Sequence, residues 1–200
     1  MISKKLNNTK EKNAHRRDNV PKEKIKIVIV GGGFGGVYTA KYLLKLFDKD
    51  KIEITLINKT NYFLFTPLLH EVATGGLTPD SIVEPIREIF RNCPINFIEN
   101  TVTEIKYENR EVITSNNSYK YDYLVISSGA ETNYFSVPGA RENSFTLKNL
   151  NDAITLRNHI LGICEKANYS KDRDLLTFAI IGAGPTGVEL ATELMEYIEH

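Results

Sequence analysis

The run Lys24-Ile-Lys-Ile-Val-Ile-Val30 leads without a break into Gly31-Gly-Gly-Phe-Gly-Gly36, and this junction constrains the fold more than any other stretch of the chain. A β-branched apolar run of this kind reads as a strand buried on both faces. Beyond the glycines, Val37, Ala40, Leu43, Leu44 and Phe47 recur at helical spacing, giving a helix with one apolar face that ends near Asp48. A second strand is predicted over residues 51–58. Strand, glycine turn, helix and strand within so short a span make the βαβ unit of a doubly wound sheet.

In that context the spacing Gly31-x-Gly33-x-x-Gly36 has a specific meaning. The first glycine allows the tight turn, the second lets a pyrophosphate approach the backbone, and the third lets helix and strand pack closely. The helix N-terminus then offers N–H donors and a positive dipole end to the phosphates. An acid that would bind a ribose is expected about 20 residues further on. This chain has Asn58 there, followed by Lys59. An Asn carbonyl accepts a ribose hydroxyl without the charge-assisted strength of a carboxylate.

The same pattern returns in Asp174-Leu-Leu-Thr-Phe-Ala-Ile-Ile-Gly182-Ala-Gly184-Pro185-Thr186-Gly187, read as a second buried strand, glycine turn and helix. Two such units point to two nucleotides in one enzyme. One strand and one helix cannot complete a sheet, so this second unit is expected to be begun and left incomplete by residue 200.

Between the two units the chain is less regular. Residues 59–78 read as a long polar and aromatic connection suited to ligand contact. A helix is predicted over 79–91, with Pro79 near its start and Pro94 beyond its end. Residues 95–120 read as small antiparallel strands, followed by a buried strand from Tyr123 to Ser127 and then a loop. A helix follows, with Asn149 and Asn151 as cap candidates. The organisation expected is a flexible basic tail over 1–23, a first nucleotide domain over 24–147, and the start of a second over 148–200.

Residues 1–24 hold eight Lys or Arg against three acids, while the whole chain has zero net charge. The overall balance gives no electrostatic reason to expect nucleic acid. The leading segment has no apolar core for a secretory signal and is not built like an amphipathic transit peptide. Cys93 and Cys164 are far apart and form no metal-binding or disulfide pattern, so both are read as packing residues in a reducing, cytoplasmic setting, and no metal is expected. His70 stands in the long connection and is read as structural or solvent-exposed before it is read as catalytic.

With these motifs the chain resembles the two-dinucleotide-binding flavoproteins of the pyridine nucleotide-disulfide oxidoreductase superfamily, and among them type II NADH dehydrogenase (NADH:quinone oxidoreductase). The resemblance runs from about residue 25 to 200. Its most specific pieces are VIVGGGFGG, NYFLFTPLLHEVATGGL, YDYLVISSGAETNYFSVPG and IIGAGPTGVELATEL. It implies a Rossmann-like α/β fold whose parallel sheet carries a small antiparallel insert, FAD as cofactor, and NADH or NADPH as substrate. Gly31, Gly33, Phe34, Gly35 and Gly36 would line the FAD pyrophosphate, with Asn58 and Lys59 at the adenosine ribose. Thr66, Pro67 and Leu68 would approach the flavin ring, Val102 the adenine through its backbone, and Ser128 with Gly129 the turn closing over the cofactor. Relatives usually carry Ala-Thr-Gly where this chain has Ser127-Ser128-Gly129.

The resemblance further implies that Gly182, Gly184, Pro185, Thr186 and Gly187 belong to the NAD(P)H site. Glu189 matches a carboxylate near the contact between nicotinamide and flavin; the plainer reading is an acid in the first helical turn, favoured by the dipole. The implied reaction is hydride transfer from nicotinamide to flavin, then electron delivery to a quinone, without a protein nucleophile. The cofactors carry this chemistry while the protein stacks the rings and excludes water. The 200-residue chain alone is not expected to turn over. Peripheral contact with the cytoplasmic face of the inner membrane, through parts beyond residue 200, and a homodimer are compatible with this reading. The rivals are sulfide:quinone oxidoreductase, disfavoured by the cysteine positions, ferredoxin or rubredoxin reductase, and a non-catalytic nucleotide-binding module.

Overall fold

The computed structural model describes residues 23–199. The basic tail expected over 1–23 therefore falls almost wholly outside the described residues.

The predicted βαβ unit is present. Strand β1 (Ile25–Val30) leads through the glycine turn to helix α1 (Phe34–Leu46) and on to strand β2 (Ile52–Asn58). β1 pairs in parallel with β2, from Ile25 opposite Ile52 to Val30 opposite Ile57. Two further parallel strands complete a four-stranded sheet, β5 (Ile95–Glu99) beside β2 and β9 (Tyr123–Ile126) beside β1, in the order β5-β2-β1-β9. The chain therefore winds outward from β1 to β2 to β5 and then returns to the far side of β1. The change of direction falls between β1 and β9, and in doubly wound sheets the ligand crevice opens at that switch point, beyond the carboxyl ends of the strands.

Alternation along β1 explains the layers. Ile27 and Ile29 face α1, packing with Val37, Ala40, Ile54, Leu56 and Phe90. Val28 and Ile57 face the other way and pack with Val112 and Tyr121. Val112 belongs to, and Tyr121 directly follows, a three-stranded antiparallel insert, β6 (Val102–Lys106), β7 (Glu111–Thr114) and β8 (Ser118–Lys120), which covers the second face of the sheet where a crossover helix would otherwise lie.

The segment Ile95–Glu99, read as one of the small antiparallel strands, is a parallel strand of the main sheet, because Phe97 completes the core over α1. Strand β9 is not buried throughout: Tyr123 and Ile126 are exposed, and among the described residues only one edge of β9 has a neighbouring strand.

The connection over 59–78 is not an open loop. It folds into strand β3 (Tyr62–Leu64), a 3-10 turn over Thr66–Leu68, and helix α2 (Leu69–Thr74), which stops at Gly75 in the left-handed conformation. The helix predicted over 79–91 is replaced by a 3-10 turn over Pro79–Ile82, strand β4 (Val83–Pro85) paired with β3, and the short helix α3 (Ile86–Ile89). Pro85 is the cause. It pushes Glu84 out of helical space and has no N–H to donate, so a continuous helix cannot pass through it.

Helix α4 (Leu150–Ser170) begins at Asn149, whose side chain accepts the Asp152 N–H while Asp152 accepts that of Asn149, a complete capping box. Helix α5 (Pro185–Glu199) follows the second glycine turn and starts with its proline. The buried strand predicted before it is absent. Residues 177–184 pair with no strand among those described, and Ile181 is 92% exposed. An apolar run becomes a sheet strand only beside a neighbour that takes its N–H and C=O groups. Leu69, Val72 and Ala73 of α2, Ala153 of α4 and Leu190 of α5 form a third apolar cluster that joins the last two helices to the first unit.

Candidate functional site

At the switch point, β1 ends in a turn whose dimensions exclude side chains. Gly31 has φ +107°, and a Cβ there would sit 2.2 Å from the Ser127 carbonyl oxygen. A Cβ on Gly36 would meet the Gly31 carbonyl oxygen at 1.8 Å. Those two glycines let backbone pass against backbone. Gly33 differs: a Cβ there would touch nothing within 4 Å, so the structure itself leaves that side open. The α1 N-terminus has no side-chain cap at Gly33 and no acid in its first turn. Its first N–H groups, which lack partners within the helix, point into an open cradle without a built-in anion.

The neighbouring side chains hold the turn. Asn58, at the end of β2, accepts the Gly32 N–H at 2.8 Å and donates to the Thr60 carbonyl at 2.9 Å and hydroxyl at 3.0 Å. Its first task is thus to join β2 to the glycine turn. Lys59 beside it is exposed. The Asn100 N–H donates to the Asn58 carbonyl, which brings the chain entering β6 at Val102 to the same end of the sheet. Ser127 donates its hydroxyl to the Val30 and Gly31 carbonyls at 3.0 and 3.1 Å, stitching β9 to β1 where the two strands diverge. Ser128 and Gly129 follow, both exposed, with Gly129 at φ +76°.

Thr66, Pro67 and Leu68 come to this place through aromatic contacts. The Phe34 ring lies edge-on to Phe63 at 4.9 Å and tilted to Phe65 at 5.5 Å, so the first residue of α1 anchors the hairpin that leads into the 3-10 turn. The sequence-predicted residues of the first nucleotide site therefore gather around the carboxyl ends of β1, β2 and β9.

The second glycine turn repeats the first in its own geometry. Gly182 has φ +111° against +107° at Gly31, and a Cβ on Gly187 would meet the Gly182 carbonyl oxygen at 2.3 Å. The Val188 N–H donates to the Gly184 carbonyl as that of Val37 does to Gly33. A Cβ on Gly184 would meet nothing within 4 Å. Pro185 and Thr186 open α5 and are exposed. On the helix side the expectation for this loop is met; on the strand side the pairing is missing.

Residues 25–200 match the family model described as pyridine nucleotide-disulphide oxidoreductase. The chain belongs to this family. It is 36% identical over 191 residues to the external NADH-ubiquinone oxidoreductase 2, mitochondrial, of Saccharomyces cerevisiae, covering 88% of this chain and 34% of that protein. It is also 36% identical over 189 residues to the type II NADH:quinone oxidoreductase Ndh of Mycobacterium tuberculosis, covering 90% and 40%. The solved structure of NDH2 from Plasmodium falciparum in complex with NADH superposes with a TM-score of 0.77 at 34% identity, covering 88% of this chain and 38% of that one. The chain thus spans about a third to two fifths of the length of these relatives.

Within this family member, the structure adds residues that sequence reading passed over. Ser127 was expected only as a departure from the usual Ala-Thr-Gly, yet it carries both hydroxyl bonds to β1. His70, read as structural or solvent-exposed, has a side chain 12% exposed, with Nδ1 3.4 Å from Glu189 Oε2. Glu189 is the fifth residue of α5, and no acid lies in that helix's first turn, so the dipole reading of Glu189 does not hold. His70, Glu71 and Glu193 bring potential ligand atoms within 4.8 Å of one another. Cys93 packs against the core over α1, as expected of a packing residue. Cys164 is half-buried in the wall of a cavity of about 1030 Å³ between α2, α4 and α5. No described helix is long and apolar enough to cross a membrane.

Proposed function

We propose that this chain forms the FAD-binding and first NAD(P)H-binding parts of a dehydrogenase that takes a hydride from NADH or NADPH and passes electrons to a quinone. The observation that carries the reading is the pair of glycine turns sharing one backbone geometry, each leading into a helix. Residues 24–147 are assigned to the FAD unit and 148 onward to the nucleotide substrate.

The residues fit FAD at the first turn: an uncapped helix start, an open face at Gly33 and no resident acid. Gly31, Gly33, Phe34, Gly35 and Gly36 would hold the pyrophosphate. Asn58 would offer the remaining lone pair of its side-chain oxygen to the ribose, with Lys59 alongside, and Val102 would meet the adenine through its backbone. Thr66, Pro67 and Leu68 would border the flavin, and Ser128 with Gly129 would close over it. When bound, FAD supplies the hydride acceptor and the store of two electrons.

At the second turn Gly182, Gly184, Pro185, Thr186 and Gly187 would hold NADH or NADPH, and Glu189 would act as the catalytic carboxylate near the nicotinamide. The quinone belongs to the same proposal and is supported by the names of the yeast and mycobacterial relatives; contact with a membrane and a homodimer are proposed with it. A cytoplasmic location, peripheral on the inner membrane, is assigned with them.

The test is to purify the full-length protein, record its visible spectrum and measure NADH oxidation with a quinone. A yellow protein that reduces quinone is expected. A colourless protein that also fails to take up added FAD would overturn the reading; quinone reduction by sulfide in place of NADH would reassign the donor, and turnover with ferredoxin alone would reassign the acceptor.

A further inference from the structure

Helix α2 belongs to the segment beside the first glycine turn, and α5 grows out of the second. Their contact is apolar at Leu69, Val72, Ala73 and Leu190, and it carries one polar pair, His70 with Glu189. The His70 side chain is packed in place at 12% exposure, whereas Glu189 is 47% exposed and free on one side to swing into water. Two more carboxylates crowd the imidazole, those of Glu71 and Glu193. Glu193 lies one helical turn beyond Glu189 on the same face of α5, where like charges repel. Among the described ion pairs no Lys or Arg reaches any of these three acids. Left to repulsion alone, Glu189 would turn away from the interface.

We infer that His70 is a positioning residue, whose Nδ1–H holds the Glu189 carboxylate in place across the α2–α5 contact. The distance of 3.4 Å is longer than a short hydrogen bond, and a small rotation of the half-exposed Glu189 side chain closes it. A group that orients an active side chain in this manner acts through geometry, and the loss of such partners at metal ligands, about 10–100-fold in activity, sets the scale. The inference rests on the proposed role of Glu189 beside the nicotinamide.

The geometry dictates the test. The amide N–H of asparagine can occupy the place of Nδ1–H, while leucine keeps the packing and loses the donor. In full-length flavoprotein, H70L is expected to lower the rate of flavin reduction by NADH about tenfold with KM for NADH within about twofold, and H70N to recover most of the loss. A second readout needs no turnover. In protein labelled with 13C-glutamate and free of NADH, the Glu189 carboxyl resonance, assigned by its loss in E189Q, is expected to move in H70L and to keep its wild-type position in H70N. Equal behaviour of H70L and H70N in both measurements would overturn the inference. An undiminished rate in E189Q would instead remove the role of Glu189 on which it rests.

Discussion

The side-chain oxygen of Asn58 accepts the N–H of Gly32 at 2.8 Å, tying the end of β2 to a glycine turn that follows β1. Gly32 is buried, so its N–H has no water to turn to if Asn58 is removed. N58A should destabilise the protein by about 1–3 kcal/mol, the usual cost of an unsatisfied buried donor, measured by urea denaturation. N58D keeps the acceptor but sets a carboxylate against the Thr60 carbonyl. It should fall between wild type and N58A in stability.

Gly33 and Gly36 separate folding from ligand binding. A Cβ at Gly33 meets nothing and its φ of −81° suits any residue, so G33A should leave thermal stability within about 0.5 kcal/mol of wild type while weakening FAD retention. A Cβ at Gly36 drives into the Gly31 carbonyl, and G36A should cost about 3 kcal/mol or more because backbone must move. Circular dichroism melting and flavin content read the two effects apart. Equal damage from both substitutions would refute the open cradle.

The second turn predicts the same split for the nucleotide substrate. G184A should fold normally and raise KM for NADH, since the open face at Gly184 matches that at Gly33. G187A should lower stability, because its Cβ meets the Gly182 carbonyl. Steady-state kinetics beside a melting curve decides the matter.

Ser127 holds β9 against β1 through one hydroxyl proton shared between the Val30 and Gly31 carbonyls, which an alanine lacks. S127A should cost about 1 kcal/mol, the net worth of an ordinary hydrogen bond, and should keep its FAD. A flavin lost at unchanged stability would show that Ser127 touches the cofactor itself.

Phe34 is the hub of the ring cluster with Phe63 and Phe65. F34A should destabilise by about 1–2 kcal/mol, less than a fully buried aromatic, because the residue is already 37% exposed. The loss should show as faster amide exchange over residues 62–68, where the hairpin enters the 3-10 turn.

Local order was readable in the chain wherever a pattern and a conformation have one common solution. The junction from Val30 into Gly31 yields a positive-φ turn and a helix start, and the repeat at Gly182 yields the turn and helix again. Asn149 announces its helix for the same reason, since its capping partner Asp152 lies three residues on. The helix wrongly expected over 79–91 was also a local matter, for Pro85 stood in plain view.

What only the tertiary structure decided depends on residues far apart in sequence. Ile95–Glu99 has no feature that prefers the main sheet to the insert; Phe97 settles it by filling the core beneath α1. The run before Gly182 is as apolar as the run before Gly31, yet only the latter finds strands on both sides, and a strand exists by virtue of its neighbours. Ser127 and His70 acquire meaning in the same manner, when folding brings the hydroxyl to Val30 and Gly31 and the imidazole to Glu189. Hydrogen bonds and charges act over a few ångströms of space, and the distance along the chain does not reveal which groups will share that space.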